Sequence, residues 1–114
     1  MAAQIVLSLQ TIVSREMNPI DPAVITVGSI HSGTKHNIIS EEAHLQLTVR
    51  SFPEGTRRQI LTAIKRITNG IAAAAGAPPP TVKIREDPTP SRYNQPALTK
   101  RLVKTFEETL GKEN

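Results

Sequence analysis

Two strand-like runs around a polar corner constrain this chain more than any other feature. They lie between Val24 and Arg50, and the corner is rich in glycine, serine and threonine. In the second run apolar residues alternate with polar ones: Ala43, Leu45, Leu47 and Val49 are separated by His44, Gln46 and Thr48, and Arg50 follows. Because strand side chains point alternately to opposite faces, this run predicts one apolar and one polar face. We expect functional residues at the corner and on the polar face.

Helical periodicity and turn residues divide the rest of the chain. Apolar residues recur at helical spacing over residues 2–16, where Ile5 and Leu9 share one face, and prolines at positions 19 and 22 end that helix. The helix after Pro53 carries a second apolar stripe, formed by Ile60, Ile64, Ile67 and Ile71. Gly28 indicates a bulge inside the first strand. The predicted elements are a helix over 2–16, strands over 23–30 and 43–51, a short extended piece over 36–39, a helix from Pro53 to Gly76, a short strand over 82–85, and a last helix from Pro96 to Gly111.

This order predicts an α+β fold, a ferredoxin-like two-layer sandwich. A three-stranded antiparallel sheet would carry two helices on one face, followed by a C-terminal helix. The arrangement lacks the first strand of a βαββαβ unit, so an edge would remain for pairing with another chain. The first helix has no N-cap residue before it. We therefore expect the chain to start inside a longer parent protein.

Composition excludes several functional classes. The 114 residues suffice for one small domain, and the absence of cysteine rules out disulfides and thiolate metal sites. The net charge of +4 is spread over helix faces, and the strands carry no aromatic residues for stacking bases, so we expect no nucleic acid partner. No apolar run is long enough for a membrane span and no signal peptide is evident; we expect a cytoplasmic protein.

The corner histidines allow two interpretations. His31 and His36 flank the corner, but their spacing matches no zinc-site pattern. They are either ordinary surface histidines or accessory ligand-binding residues that donate hydrogen bonds or stabilise an oxyanion. The sequence contains no nucleophile elbow, phosphate-binding loop or paired-carboxylate motif. We therefore name no catalytic residue and no metal ligand in this chain.

Asn37 and Arg50 form a candidate receptor for a carboxylate. Asn37 lies in the corner and Arg50 on the polar face of the following strand. An amide and a guanidinium both donate in a plane, and arginine can donate two parallel bonds to one carboxylate. A hairpin that brought them together at one edge would make such a receptor. The alternative is a rim arginine and a turn asparagine without a common ligand.

The same corner resembles a known family. The segment GSIHSGTKHNIIS (28–40), followed by EEAHLQLTVRS, is similar to the lid, or dimerisation, domain of the dinuclear-metal amidohydrolases. That family includes hippurate hydrolase, aminoacylase, carboxypeptidase G and indole-acetyl-amino-acid hydrolases. Asn37-Ile38-Ile39 and Val49-Arg50 match its pattern in order and spacing. Weaker similarity extends to the first helix and to the start of the last one, so the resemblance covers nearly the whole chain.

The resemblance implies a fragment of a metallopeptidase-type hydrolase that is inert alone. Residues 1–90 would be a partial lid/dimerisation domain, and residues 91–114 a helix leading back to an absent catalytic domain. That domain would hold two divalent ions, zinc or manganese, and cleave N-acyl amino acids or small peptides. The lid would form a homodimer through an edge strand and the first helix. Asn37 and Arg50 would bind the carboxylate of the small substrate.

Two departures from the family pattern concern the corner. Ser40 stands where the family usually has proline, and Ser32 where a second glycine is common. We expect the exchange at Ser40 to loosen the corner. The rival interpretation of the whole chain is a free-standing ferredoxin-like binding or dimerisation module with no enzymatic role.

Overall fold

Three helices and one antiparallel hairpin make up the computed structural model, which describes residues 1–85, 87 and 89–113. Helix α1 continues without a break into a single π-helical turn, and the chain then enters the hairpin. The elements in chain order are α1 (Ala2–Thr11), the π turn (Ile12–Glu16), β1 (Ala23–Ser32), β2 (Ala43–Ser51), α2 (Glu54–Ala74) and α3 (Pro96–Leu110). The fold is therefore α+β, as the sequence predicts.

The core lies between the two first helices and one face of the hairpin. Ile5 and Leu9 of α1 meet Ile60 and Ile64 of α2 over Ile25 of β1. The helical stripes predicted from the sequence are thus the buried faces. Leu9, Ile12 and Ile60 are the largest fully buried side chains. This aliphatic layer holds both helices on the same side of the hairpin.

Polar contacts fix the end of the π turn against α2. Arg66 donates to both carboxylate oxygens of Glu16, at 2.6 and 2.5 Å. Gln59 donates to the main-chain oxygen of Glu16 at 3.0 Å. Both bonds come from one guanidinium nitrogen, Nη2, and the pair is partly exposed, so it contributes modestly to stability. These bonds orient the chain as it leaves the helix for β1.

Gly28 forms the bulge that the sequence indicates. Val27 pairs with Leu47 and Ser29 with Gln46, so β1 contains one residue more than β2 between these pairs. A bulge of this kind reverses the alternation of side chains along its strand. Ala23, Ile25 and Val27 therefore face the helices before the bulge, whereas Ile30 shares that face after it.

Two expected extended segments are not strands. Residues 82–85 belong to no strand, so the sheet in the described part of the chain has two strands rather than the expected three. Val82 packs against the core although its segment is not a strand, so its apolar side chain is partly buried without strand pairing. The prediction of an extended piece over 36–39 is wrong as well. His36 and Asn37 form a turn in which the Ile38 N–H donates to the Lys35 main-chain oxygen.

The ends of α2 and α3 follow the predicted stop signals. Gly76 has φ of 64° and Gly111 has φ of 89°, a region that favours glycine. Gln95 caps α3, since its side-chain oxygen accepts from the Leu98 main-chain N–H. Helix α3 contributes no buried residue, and its apolar stripe is half-exposed: Leu98, Leu102, Val103, Phe106 and Leu110. No helix in the described part of the chain is long and apolar enough to cross a membrane.

Neighbouring leucines on α1 test the location of the core. Leu9 is 1% exposed and Leu7 is 71% exposed. We expect Leu9→Ala to lower the free energy of unfolding by about 3 kcal/mol, because it leaves a cavity. The same change at Leu7 should cost less than about 0.5 kcal/mol. Denaturant unfolding of the two variants measures both, and equal losses would contradict the assigned core.

Candidate functional site

The hairpin sorts the candidate residues onto its outer face and its tip. His31 pairs with His44 across the strands, and Gln46, Thr48 and Arg50 follow on the same outer face. This confirms the polar face predicted for the second strand, including His44. Ser29 donates to Gln46 Oε1 at 2.9 Å on that face. His44 Nε2 lies 3.4 Å from Glu42 Oε2, and both side chains are exposed.

Serine hydroxyls close the corner at the tip. Ser32 and Ser40 both donate to the main-chain oxygen of Glu42, at 2.9 and 2.7 Å. The Glu42 N–H donates back to Ser40 Oγ at 3.3 Å. Contrary to our expectation for Ser40, this serine ties the corner to the start of β2. The two departures from the family pattern thus replace proline and glycine by side-chain hydrogen bonds.

Asn37 and Arg50 lie at opposite ends of the hairpin. Asn37 is in the exposed turn beyond Ser32 and Ala43, whereas Arg50 pairs with Val24 at the other end. Arg50 lies seven positions after Ala43 along β2, which at ~3.3 Å per residue is about 23 Å. One chain therefore cannot bring both side chains to the same carboxylate. The expected meeting of the two at one edge of a single hairpin is wrong.

The histidines divide in the same way. His31 shares the outer face with Arg50 but lies toward the tip, opposite His44, and His36 is in the turn beside Asn37. Among the described residues, no three His, Asp or Glu side chains are grouped as a metal site would require. The donors of a dinuclear metal centre are therefore not assembled in this part of the chain.

A groove that the sequence analysis missed runs along the free edge of β2. It has a volume of about 850 Å³ and lies between β2 and residues 82–85. Arg50 lines it at one end together with Phe52 and Arg57. The only sequence signal for it is the Val-Lys-Ile-Arg alternation at 82–85, which indicates an extended segment but not its distance from β2.

One ion pair stands at the rim of this groove. Arg85 donates to both carboxylate oxygens of Asp87, at 2.6 and 2.9 Å. The guanidinium stabilises the charged carboxylate and lowers the pKa of Asp87, with a smaller contribution from a main-chain hydrogen bond. The pair adds a fixed charge arrangement beside the groove but is fully exposed.

A family model matches the helices and hairpin together. The model described as "Peptidase dimerisation domain" aligns with residues 1–75, which include α1, β1, β2 and α2. That span contains the tip and Arg50. The match ends just before Gly76, so residues 82–85, which line the groove opposite β2, lie outside it.

Curated relatives include hydrolases of several specificities. Thermostable carboxypeptidase 1 of Saccharolobus solfataricus is 37% identical over 101 residues, covering 89% of this chain and 25% of that protein. N-acetyldiaminopimelate deacetylase of Bacillus subtilis is 46% identical over 70 residues, covering 61% and 19%. N-acyl-L-amino acid amidohydrolase of Geobacillus stearothermophilus is 44% identical over 75 residues, covering 66% and 20%. The chain thus spans a quarter or less of the length of these relatives.

A solved structure shows the same arrangement. A crystal structure of an aminohydrolase-type protein from methicillin-resistant Staphylococcus aureus superposes with a TM-score of 0.72 at 30% sequence identity. The superposition covers 94% of this chain and 27% of that one. It therefore extends beyond the span of the family model and includes most of the C-terminal part.

The rim ion pair gives a direct test of the local electrostatics. We expect Arg85→Ala to raise the pKa of Asp87 toward its ordinary value, because the carboxylate loses its main stabilising donor. Lys83→Ala, which removes a charge from the same segment without touching Asp87, is the matched control. Carboxyl chemical shifts followed by NMR during a pH titration measure both. An unchanged pKa in Arg85→Ala would contradict the pairing.

Proposed function

This chain belongs to the peptidase dimerisation domain family, and from that premise we propose that it is the lid of a metal-dependent amidohydrolase. The enzyme would act on N-acyl amino acids or small peptides. Residues 1–90 would be the lid/dimerisation domain, and residues 91–114 would return to a catalytic domain that holds two divalent ions. The family's parent enzymes are metal-dependent, and the described residues show no metal-binding group. In this proposal the chemistry belongs to the rest of a cytoplasmic enzyme.

Family membership favours this proposal over a free-standing binding module. The relatives are a carboxypeptidase, a deacetylase and an amidohydrolase, and this chain matches only a quarter or less of each. A segment with this coverage corresponds to one domain of such proteins. The substrates in question carry a free carboxylate, the group that Asn37 and Arg50 suit chemically.

In the proposed dimer, the free edge of β1 pairs with the same edge of a second copy. Within the described residues β1 pairs with β2 alone, so its other edge is open to a second copy, beside α1. Two such edges related by a two-fold axis pair antiparallel and form one continuous sheet. Antiparallel pairing places the tip of one hairpin beside the Arg50 end of the other. Dimerisation therefore offers what one chain lacks, Asn37 and Arg50 near the same place.

We infer a composite carboxylate receptor from this geometry. Each site would take Arg50 from one protomer and Asn37 from its partner. The observation that carries the proposal is the strand register, which places Asn37 and Arg50 at opposite ends of a single hairpin, about 23 Å apart at ~3.3 Å per residue. His31 and His36, on the tip side, would reach the same site as Asn37 and serve as accessory hydrogen-bond donors.

The role of Arg50 is tested by kinetics of the full-length enzyme. We expect Arg50→Ala to raise KM for carboxylate substrates roughly 10- to 100-fold, the range for losing a hydrogen bond to a charged group. A substrate amidated at that carboxylate should show little difference between the variant and the wild type. Arg58→Ala, an exposed arginine on α2, is the control. Equal effects on both substrates would remove Arg50 from the carboxylate site.

The composite site is tested by mixing two variants that are each impaired in binding the carboxylate, with the substrate kept well below their raised KM. Asn37→Ala and Arg50→Ala proteins are unfolded together, refolded and assayed. Half of the dimers should be mixed, each with one intact site out of two, so about a quarter of wild-type activity should return. No return would show that both residues act within one protomer, and would overturn the composite receptor. Asn37→Ala mixed with the double variant has no intact site in either arrangement and gives the baseline.

A further inference from the structure

Two exposed isoleucines stand just beyond the two ends of β1. Among the described residues, Ile39 is 96% exposed and Ile20 is 82% exposed, more than any other large aliphatic side chain. Ile20 comes three residues before Ala23, where β1 begins, and Ile39 lies in the hairpin tip (residues 33–42) that follows Ser32, where β1 ends. Nine positions from Ala23 to Ser32, at ~3.3 Å per residue, make about 30 Å. The two isoleucines of one chain therefore cannot contact each other.

A short turn fixes the main chain around Ile20. The Ile20 N–H donates to Asn18 Oδ1 at 3.3 Å, and the Asp21 N–H donates to the Asn18 main-chain oxygen at 3.0 Å. The prolines at positions 19 and 22 restrict the same turn, because each fixes its own φ. The turn thus presents Ile20 to solvent from a constrained backbone.

Hydrogen bonds on both sides fix the main chain around Ile39. The Ile38 N–H donates to the Lys35 main-chain oxygen at 3.4 Å, and Ser40 Oγ donates to the Glu42 main-chain oxygen at 2.7 Å. Ile39 lies between these two bonded segments, and its side chain is nevertheless almost fully exposed. A contact made by a residue on an ordered backbone costs less entropy than one made by a flexible loop. Both isoleucines therefore suit a contact that forms on assembly.

Antiparallel pairing of two β1 edges brings these isoleucines together. The family model that matches residues 1–75 describes a dimerisation domain, so the partner on this edge is a second copy of the chain. When two β1 strands pair over their full length about a two-fold axis, Ala23 of one copy lies opposite Ser32 of the other. Ile20 of the first copy then lies at the same end of the dimer as Ile39 of the second. The two-fold axis repeats this relation at the opposite end.

We propose that Ile39 of each protomer packs against Ile20 of its partner, which clamps the tip at both ends of the dimer. The inference rests on the edge-paired dimer of the proposed function and adds the contact that holds the tip. Removal of two aliphatic side chains from water stabilises such a contact. Asn37 lies two residues before Ile39, so the clamp also holds Asn37 at the Arg50 end of the partner. Ile20 and Ile39 are thus positioning residues, since they contact each other and not the substrate.

Disulfide trapping tests the clamp, because the chain contains no cysteine. Ile20→Cys and Ile39→Cys proteins are prepared separately, mixed in equal amounts under reducing conditions and then oxidised. About half of the dimers are mixed, and each mixed dimer has one end at which the two thiols meet. We expect these dimers to become covalent, since a disulfide needs Cα atoms within about 7 Å. Non-reducing gels and mass spectrometry of the linked peptides measure the product.

Two controls keep the trapping specific. Each variant oxidised alone should remain non-covalent, because the two-fold axis keeps both copies of the same residue at opposite ends, about 30 Å apart. Leu7→Cys provides a matched exposed position, since Leu7 is 71% exposed in the middle of α1. Mixed with Ile39→Cys, it should link at least about tenfold more slowly than Ile20→Cys does.

Kinetics of the full-length enzyme test whether the clamp positions Asn37. We expect Ile39→Ser to raise KM for a carboxylate substrate severalfold with little change in kcat, and Ile39→Leu to restore KM. In an Asn37→Ala background Ile39→Ser should add nothing, because the clamp acts through Asn37. A general loss of dimer stability would raise KM equally in both backgrounds and would overturn the positioning role.

Sedimentation of the unsubstituted chain separates failure of the clamp from failure of the dimer. A chain that dimerises while the Ile20 and Ile39 variants do not link would overturn the clamp and leave the edge-paired dimer standing. A chain that stays monomeric at the concentrations used for trapping would overturn both. Linkage of Ile39→Cys to itself would place the two tips together, and would overturn the clamp and the antiparallel pairing of β1 edges.

Discussion

The register between β1 and β2 is the constraint on which the rest of this structure depends. With Gly28 as an extra residue, the hairpin keeps Ile25 and Val27 under the helices and still places Ile30 on their side. Without that shift, His31 would share the helix-facing side with Ile25 instead of standing opposite His44 on the outer face. A slip of one residue inverts every side chain in a strand. The polar outer face, and the position of Arg50 on it, exist because the register is fixed in this way.

The same register limits what one chain can bind. An extended strand has a nearly constant rise, so a hairpin of this length cannot bring its tip and its open end together. Only a second chain, or a sharp bend in both strands, could unite Asn37 with Arg50, and the paired strands show no break other than the bulge. The proposed carboxylate receptor therefore depends on assembly, whereas the positions of Asn37 and Arg50 depend on folding.

The sequence predictions are correct where a pattern within a single helix or strand is enough to determine the structure. The alternation from Ala43 to Ser51 predicted the bounds of β2, and the stripes containing Leu9 and Ile60 predicted the buried helix faces. Val82 and Ile84 show where such patterns fail: alternation reports a preference for extended backbone, but a strand also needs a neighbour at bonding distance. The separation of Asn37 from Arg50 and the groove beside β2 are likewise relations between elements. They require the register and the packing of the whole chain, which no single window of sequence contains.

A receptor divided between two chains links substrate binding to dimerisation. In the proposed receptor the bound carboxylate contacts residues of both chains; where the monomer alone does not bind the substrate, linkage stabilises the dimer by RT ln(1 + [S]/Kd) per site. At a substrate concentration of 100 Kd this is about 2.7 kcal/mol per site, comparable to several exposed hydrogen bonds. A dimerisation domain that carries substrate-binding residues therefore gains stability from the bound substrate, whereas a domain that only joins two subunits does not.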